Sequence, residues 1–261
     1  MQQQTLPRSA PQDARLNHLL GALPDEVFDV VARHLEPITL RLGESLYEPG
    51  SPLHYAIFPT TSIVSLHYVT ANGTSAETAA VGKDGMVGLA LFMGGDTTAS
   101  SARVLVAGGA YRLPAGQLRQ AFDGIGPMRA LLLRYALSIV AQITLFASCN
   151  RHHSIDQQFC RWLLCALDRL PSNDLVMTQE LVSQTLGVRR ESITEVAVRL
   201  QQRGVISYRR GHISVLDRAG LEHRACECYA AVRREQARLL APTRGTESEN
   251  VESTYASTRA P

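Results

Sequence analysis

With 261 residues, 45% of them hydrophobic and 19% charged, the chain is too long for one average domain and too apolar for a disordered one, so two globular units are expected. A formal net charge of +2 supplies no molecule-wide field for nucleic acid; such a partner would need a local basic patch. The five cysteines, Cys149, Cys160, Cys165, Cys226 and Cys228, are odd in number and lack a paired CxxC, which argues for reduced thiols rather than a disulfide framework or a zinc ribbon.

Residues 1–12 and 241–261 are rich in Gln, Ser, Thr, Glu, Pro and Arg and read as disordered tails. The first fifteen residues hold no apolar core, so a secretory signal is not expected and a cytoplasmic location is. Leu16, Leu19, Leu20, Leu23, Val27, Val30 and Val31 then recur at helical spacing around a break at Pro24.

From Leu40 to Leu113 short apolar runs (Tyr55–Phe58, Ile63–Tyr68, Val87–Phe92, Arg103–Val106) alternate with Pro49-Gly50, Asn72-Gly73, Gly94-Gly95 and Gly108-Gly109. Short strands separated by glycine turns predict an all-β roll, with Asn72-Gly73 the strongest hairpin signal because both centres of a type I′ turn need positive φ.

After Gly124 the period becomes helical. Met128, Leu132, Tyr135, Ile139, Gln142, Phe146 and Cys149 form a heptad-like seam, and Leu133, Leu137, Val140 and Thr144 a second stripe. Two apolar faces need two partners, so one is expected on the β domain and the other on a second copy of the chain, with a helix buried inside one subunit as the alternative. A membrane span at Ala130–Cys149 is not expected, since Arg134 near the bilayer centre would cost about 2.5–3.5 kcal/mol.

From Met177 the chain reads MTQELVSQTLGVRRESITEVAVRLQQRGVISYRRGHISVLD. Thr178 is placed to cap a short helix, and Gly187 to end it. In the helix that follows, Ile193, Val196, Ala197 and Leu200 share one face, while Arg189, Arg190, Glu191, Glu195 and Arg199 occupy the other. A helix held by its apolar side, with a charged N-terminal end free, is what a helix-turn-helix needs in the major groove. Arg190 and Glu191 are suited to reading guanine and cytosine edges, with Glu195 one turn on; Thr178, Gln179, Arg189, Ser192 and Arg199 are better placed for phosphates. Val205–Tyr208 and His212–Leu216 flank Arg209-Arg210-Gly211 as a hairpin wing with a basic tip. Residues 189–212 carry six arginines and two glutamates, a local +4 hidden by the near-neutral whole.

On these residues the sequence resembles the Crp/Fnr family of bacterial regulators over roughly residues 15–220. TQELVSQTLGVRRESITEVAVRLQQRGVI looks like the family's DNA-binding signature, with its Arg-Glu pair at Arg190 and Glu191. Glu195 stands where catabolite activator protein has another arginine, which implies a different target sequence. GESLYEPGSPLHYAIFPTTSIVSL resembles the early strands of the cyclic-nucleotide-binding roll, and VGLALFMGGDTTASSARV its phosphate-binding cassette. Gly88 and Ser100 are kept. Leu89 and Ala99 stand where cyclic-AMP binders offer a glutamate and an arginine, so cyclic AMP is not expected to bind tightly. The oxygen-sensing branch's iron–sulfur centre is not expected either, because no cysteine precedes Cys149, and His54 and His67 sit in ordinary strand context.

Cys149, His152 and His153 form one small group, and His223, Cys226 and Cys228 another on the final helix; neither has a zinc spacing, so structural thiols and no bound metal or cofactor are expected. GxSxG, P-loop, HExxH and GxGxxG motifs are absent, so an enzyme is not expected. The whole reads as an α+β chain: a jelly-roll-like β-roll at 13–125, a dimerisation helix at 126–152, and a winged helix with C-terminal helix at 153–240. Its implied partners are double-stranded DNA, a second copy of itself and RNA polymerase, with the effector undefined. A ligand-, redox- or metal-responsive module with a secondary winged helix is the alternative.

Overall fold

The computed structural model describes residues 11–71 and 75–241. Residues 1–10 and 242–261 of the expected tails lie outside it, as does the Asn72-Gly73 turn. The first tail ends earlier than expected: Pro11–Leu16 is a short 3-10 helix, pinned by Ala14, which is fully buried. Asn17 then organises the entry. Its Oδ1 accepts the Leu19 and Leu20 amides to start α1 (His18–Gly21), while its Nδ2 donates to the carbonyls of Pro59 and Gly85 at 2.8 and 2.7 Å. After Pro24, α2 (Asp25–Ala32) buries Phe28 and Val31, with Asp25 and Glu26 in its first turn.

Among the described residues seven strands follow: β1 (Glu36–Leu40), β2 (Ser45–Tyr47), β3 (Tyr55–Pro59), β4 (Ile63–Val69), β5 (Ser75–Val81), β6 (Ser101–Val106) and β7 (Gly108–Pro114). They form two antiparallel sheets, ordered β1-β7-β3 and β2-β6-β4-β5. Two expectations are corrected here. Gly108-Gly109 is not a turn but the start of β7, opposite Leu40 and Thr39; a Cβ on Gly108 would lie 2.7 Å from the Thr61 carbonyl oxygen, so the glycine permits close strand approach. Val87–Phe92 is not a strand: Val87 makes one bridge to Ile57, and Gly88 at φ +107 turns the chain into a 3-10 helix at Leu89–Leu91.

The four-stranded sheet is covered on both faces. Val64, Leu66, Ala79, Val81, Ala102 and Val104 point into the roll core. The alternate residues Ile63, Ala80 and Leu105 join a second core contributed mainly by the C-terminal domain. That domain therefore docks on the outer face of the roll.

Helix α3 (Ala115–Gly124) leads into α4 (Gly126–His152), the long helix. Its seam is buried within the chain: Met128, Leu132, Tyr135 and Ile139 close the roll core, Tyr135 donates to the Met86 carbonyl at 2.7 Å, and Phe146 reaches the second core. Leu133, Leu137 and Val140 are each about half exposed. By length and composition α4 is also a candidate membrane span, yet its seam is packed on protein.

Beyond α4 lie α5 (Ile155–Leu167), started by a Ser154–Gln157 capping box, then β8 (Asp174–Val176), α6 (Gln179–Leu186), α7 (Arg190–Gln202), β9 (Ile206–Arg209) and β10 (His212–Val215), with sheet order β8-β10-β9. The expected single final helix is two: α8 (Arg218–Arg224) and α9 (Cys228–Leu240). The chain is extended at Ala225, where φ is −68° and ψ 152°, and α9 then runs back along α4 until Leu240 touches the roll core.

Candidate nucleic-acid interface

Thr178 starts α6 as its sequence position suggests: its hydroxyl oxygen accepts the Leu181 amide at 3.2 Å. Gly187, at φ +67, ends the helix, and the following Val188 amide reaches back to the Ser183 carbonyl. The turn re-aims the chain into α7, capped by Arg189 in extended conformation. Ile193, Val196, Ala197 and Leu200 are all buried, which fixes the helix by its apolar face. The Thr194 hydroxyl donates to Gln179 Oε1 at 2.8 Å and so locks α7 to α6.

On the opposite side Arg189, Arg190, Glu191 and Glu195 are exposed, and Ser192 is half-buried. Arg209 and Arg210 are exposed at the wing, where Arg210 (φ +50) and Gly211 (φ +81) make a two-residue turn between paired Arg209 and His212. The wing is tied to the start of α6: the Met177 amide donates to the Gly211 carbonyl at 2.6 Å, and the Tyr208 hydroxyl to the Met177 carbonyl at 2.8 Å. Among the described residues, Arg189, Arg190, Arg209 and Arg210 form no ion pair. Arg199 differs. Its guanidinium is held in a two-pronged pair by Asp156 of α5, at 2.6 and 3.2 Å, a partner that sequence spacing did not reveal. Gln179 is likewise engaged with Thr194, so these two of the expected phosphate contacts have internal work.

The cassette positions in the roll carry no charge. Leu89 is half-buried against the core, Ala99 is exposed, and the Ser100 hydroxyl lies 3.1 Å from that of Thr98. His54 is exposed, and half-buried His67 has its pKa lowered by burial and by Arg103.

Charged groups instead gather between the roll and the docked domain. Arg169 donates to Asp84 at 3.0 Å and to the Cys165 carbonyl at 3.1 Å, and Gln236 of α9 reaches Asp84 at 3.2 Å. Burial would push the Asp84 carboxyl up, but the Arg169 guanidinium outweighs it and holds it below the usual range. Glu77 of β5 is also buried; there burial wins over Ser65 and the arginines 169 and 161, and its pKa is raised.

The two cysteine–histidine groups seen in sequence prove to be one. Cys149, His153, Cys226 and Cys228 bring one donor atom each to within 4.8 Å of one another, whereas His152 and His223 are exposed and lie outside the group.

Residues 157–224 match the Crp-like helix-turn-helix domain family. Among curated proteins none matches the chain by sequence. Solved structures do match. A transcriptional regulator of the Crp/Fnr family from Eubacterium rectale aligns with a TM-score of 0.61 and 16% identity, covering 78% of this chain and 96% of that one. FixK2 from Bradyrhizobium japonicum gives 0.62 and 14%, covering 74% and 98%. A Crp/Fnr-family regulator from Thermus thermophilus gives 0.59 and 21%, covering 73% and 98%.

Proposed function

The chain carries a Crp-like helix-turn-helix domain within the fold of the Crp/Fnr transcriptional regulators, and from that premise we propose that it is a sequence-specific, non-enzymatic DNA-binding regulator of the cytoplasm. The observation that carries this reading is the state of α7: one face is buried to the last apolar residue, while Arg190 and Glu191 stand exposed at its N-terminal end, with Arg189 and the wing arginines beside them. Arg190 and Glu191 read base edges, with Glu195 setting the preference one turn further on. Thr178, Arg189, Ser192, Arg209 and Arg210 hold phosphates; Arg199 serves chiefly to brace α7 on α5 through Asp156.

The functional unit is a homodimer built on the exposed stripe of α4, which places two copies of α7 about 34–36 Å apart on a two-fold symmetric operator. Because the winged helix is docked on the roll and on α4, any signal acts by changing the relative orientation of the two winged helices. Cyclic AMP is not that signal, since Leu89 and Ala99 offer its phosphate and ribose no charged partner.

Selection of bound duplexes from a random pool tests the reading. The wild-type chain should return a palindrome, unchanged by added cyclic AMP, and Arg190→Ala and Glu191→Ala should each relax preference at one position by about 1–3 kcal/mol. Failure to enrich any sequence, or unchanged preference in both variants, would overturn it.

A further inference from the structure

Cys149, His153, Cys226 and Cys228 take no part in the DNA-facing surface, and their arrangement is not that of thiols packed as small hydrophobes. Cys160 and Cys165 lie within the second hydrophobic core, as inert cysteines do. Cys149, Cys226 and Cys228 instead form a buried cluster of their own, in neither core. Cys149 and His153 sit one turn apart at the C-terminal end of α4, on one face. Cys226 lies in the bend after α8, and Cys228 is the first residue of α9.

Two of the donor–donor edges already have the length one ion requires, and the four donors all lie within 4.8 Å of one another. Cys149 Sγ and Cys226 Sγ are 3.4 Å apart, and Cys228 Sγ is 3.6 Å from His153 Nδ1. A tetrahedral zinc with metal–sulfur bonds of about 2.3 Å and metal–nitrogen bonds of about 2.0 Å has edges of roughly 3.5–3.8 Å. A multi-iron cluster would need its cysteines spread well beyond one ion's edge. The His153 ring is also turned as a ligand's would be, with Nδ1 facing the sulfurs and Nε2 lying 3.1 Å from Glu227 Oε1. A carboxylate behind the second ring nitrogen is the arrangement that fixes a metal-bound histidine's tautomer.

We propose that these four residues bind a single zinc ion, through three thiolates and His153 Nδ1, in a closed tetrahedral site that clasps α9 to the end of α4. Three soft sulfurs and an imidazole favour zinc over the oxygen-seeking Mg²⁺ or Ca²⁺, and four protein donors leave no position for a reacting water. Binding displaces the thiol protons to solvent. The ligands lie on both sides of the matched helix-turn-helix segment, two before residue 157 and two after residue 224, so the ion fixes both ends of the winged-helix domain to the long helix.

The test uses the full chain kept reduced. As isolated without chelator it should carry one equivalent of zinc by elemental analysis. After stripping, Co²⁺ alone should give thiolate-to-cobalt charge-transfer and tetrahedral d–d bands that saturate at one ion per chain and vanish on adding Zn²⁺. Glu227→Gln should weaken cobalt binding about 10–100-fold while keeping the tetrahedral spectrum. Cys228→Ser should lose one thiolate's share of the charge-transfer band, and His152→Ala and His223→Ala should bind as wild type. Should Cys228→Ser fail to fold, the wild-type titration and Glu227→Gln decide alone. Absence of a stoichiometric tetrahedral spectrum, or a Cys149–Cys226 disulfide in the chain isolated with its thiols blocked, would overturn the proposal. None of these readouts involves DNA, so they stand or fall apart from the regulator reading.

Discussion

Arg210 occupies a position that its backbone would rather give to glycine or asparagine. At φ +50, before Gly211 at φ +81, it is the first central residue of a type I′ turn, where an ordinary side chain costs about 1–2 kcal/mol. Among the described residues it is the one non-glycine with positive φ, and it forms no ion pair that offsets the strain. Under the proposed function the guanidinium at the wing tip would give a reason for tolerating it: a fixed charge for a phosphate. Arg210→Asn separates the two effects. The variant should melt at or above the wild-type temperature, with up to about 1 kcal/mol gained from the relieved turn. In DNA titrations across a salt series, the slope of log affinity against log salt should fall by about 1, with base preference unchanged. A stabilised variant with an unaltered salt slope would remove Arg210 from the DNA contacts.

The long helix α4 poses a different problem, because it has more apolar surface than one chain covers. Its seam from Met128 to Phe146 is buried, but Leu133, Leu137 and Val140 remain 51–53% exposed, one or two turns apart on the other face. Leu137→Glu combined with Val140→Glu should leave the far-ultraviolet spectrum of the monomer intact and convert a dimer to a monomer by light scattering; a persistent dimer would place the interface elsewhere. Much of this element was legible in sequence because helix periodicity is local, and the same holds for α6 and α7, whose cap at Thr178 and left-handed stop at Gly187 are written in single residues. The strands were less so. The β5 segment SAETAAV has little β-branched character and is a strand because both its faces are covered by other parts of the chain. Gly108 reads as punctuation until the Thr61 backbone is seen beside it. The Cys149, His153, Cys226 and Cys228 group was least legible: Cys149 and Cys226 are 77 residues apart, and what joins them is the bend at Ala225 and the return of α9 along α4.

The two domains meet across a surface that contains charge, and its response to pH depends on which carboxylate is considered. Asp84, held below the usual range by Arg169, contributes stability above its unfolded pKa that is lost only as pH falls through the lower folded value, well into acid. Glu77 has the opposite sign. It is buried among Ser65 of β4, Trp162 and Arg161 of α5 and the nearby Arg169, and its Oε2 has no hydrogen-bond partner among the described residues. With its folded pKa raised, its contribution is fully present below the unfolded value of about 4.3 and is lost as pH rises through the folded value. As pH rises above that unfolded value, ionising Glu77 therefore works against the docking of the winged helix on the roll. Glu77→Gln removes that titration with little change of shape. Its thermal midpoint should match the wild type near pH 4 and exceed it by a margin that widens towards pH 7. The reverse trend, a variant losing ground as pH rises, would mean that Arg161 and Arg169 need the Glu77 charge, and that this interface is held by an ion-pair network rather than loosened by a buried acid.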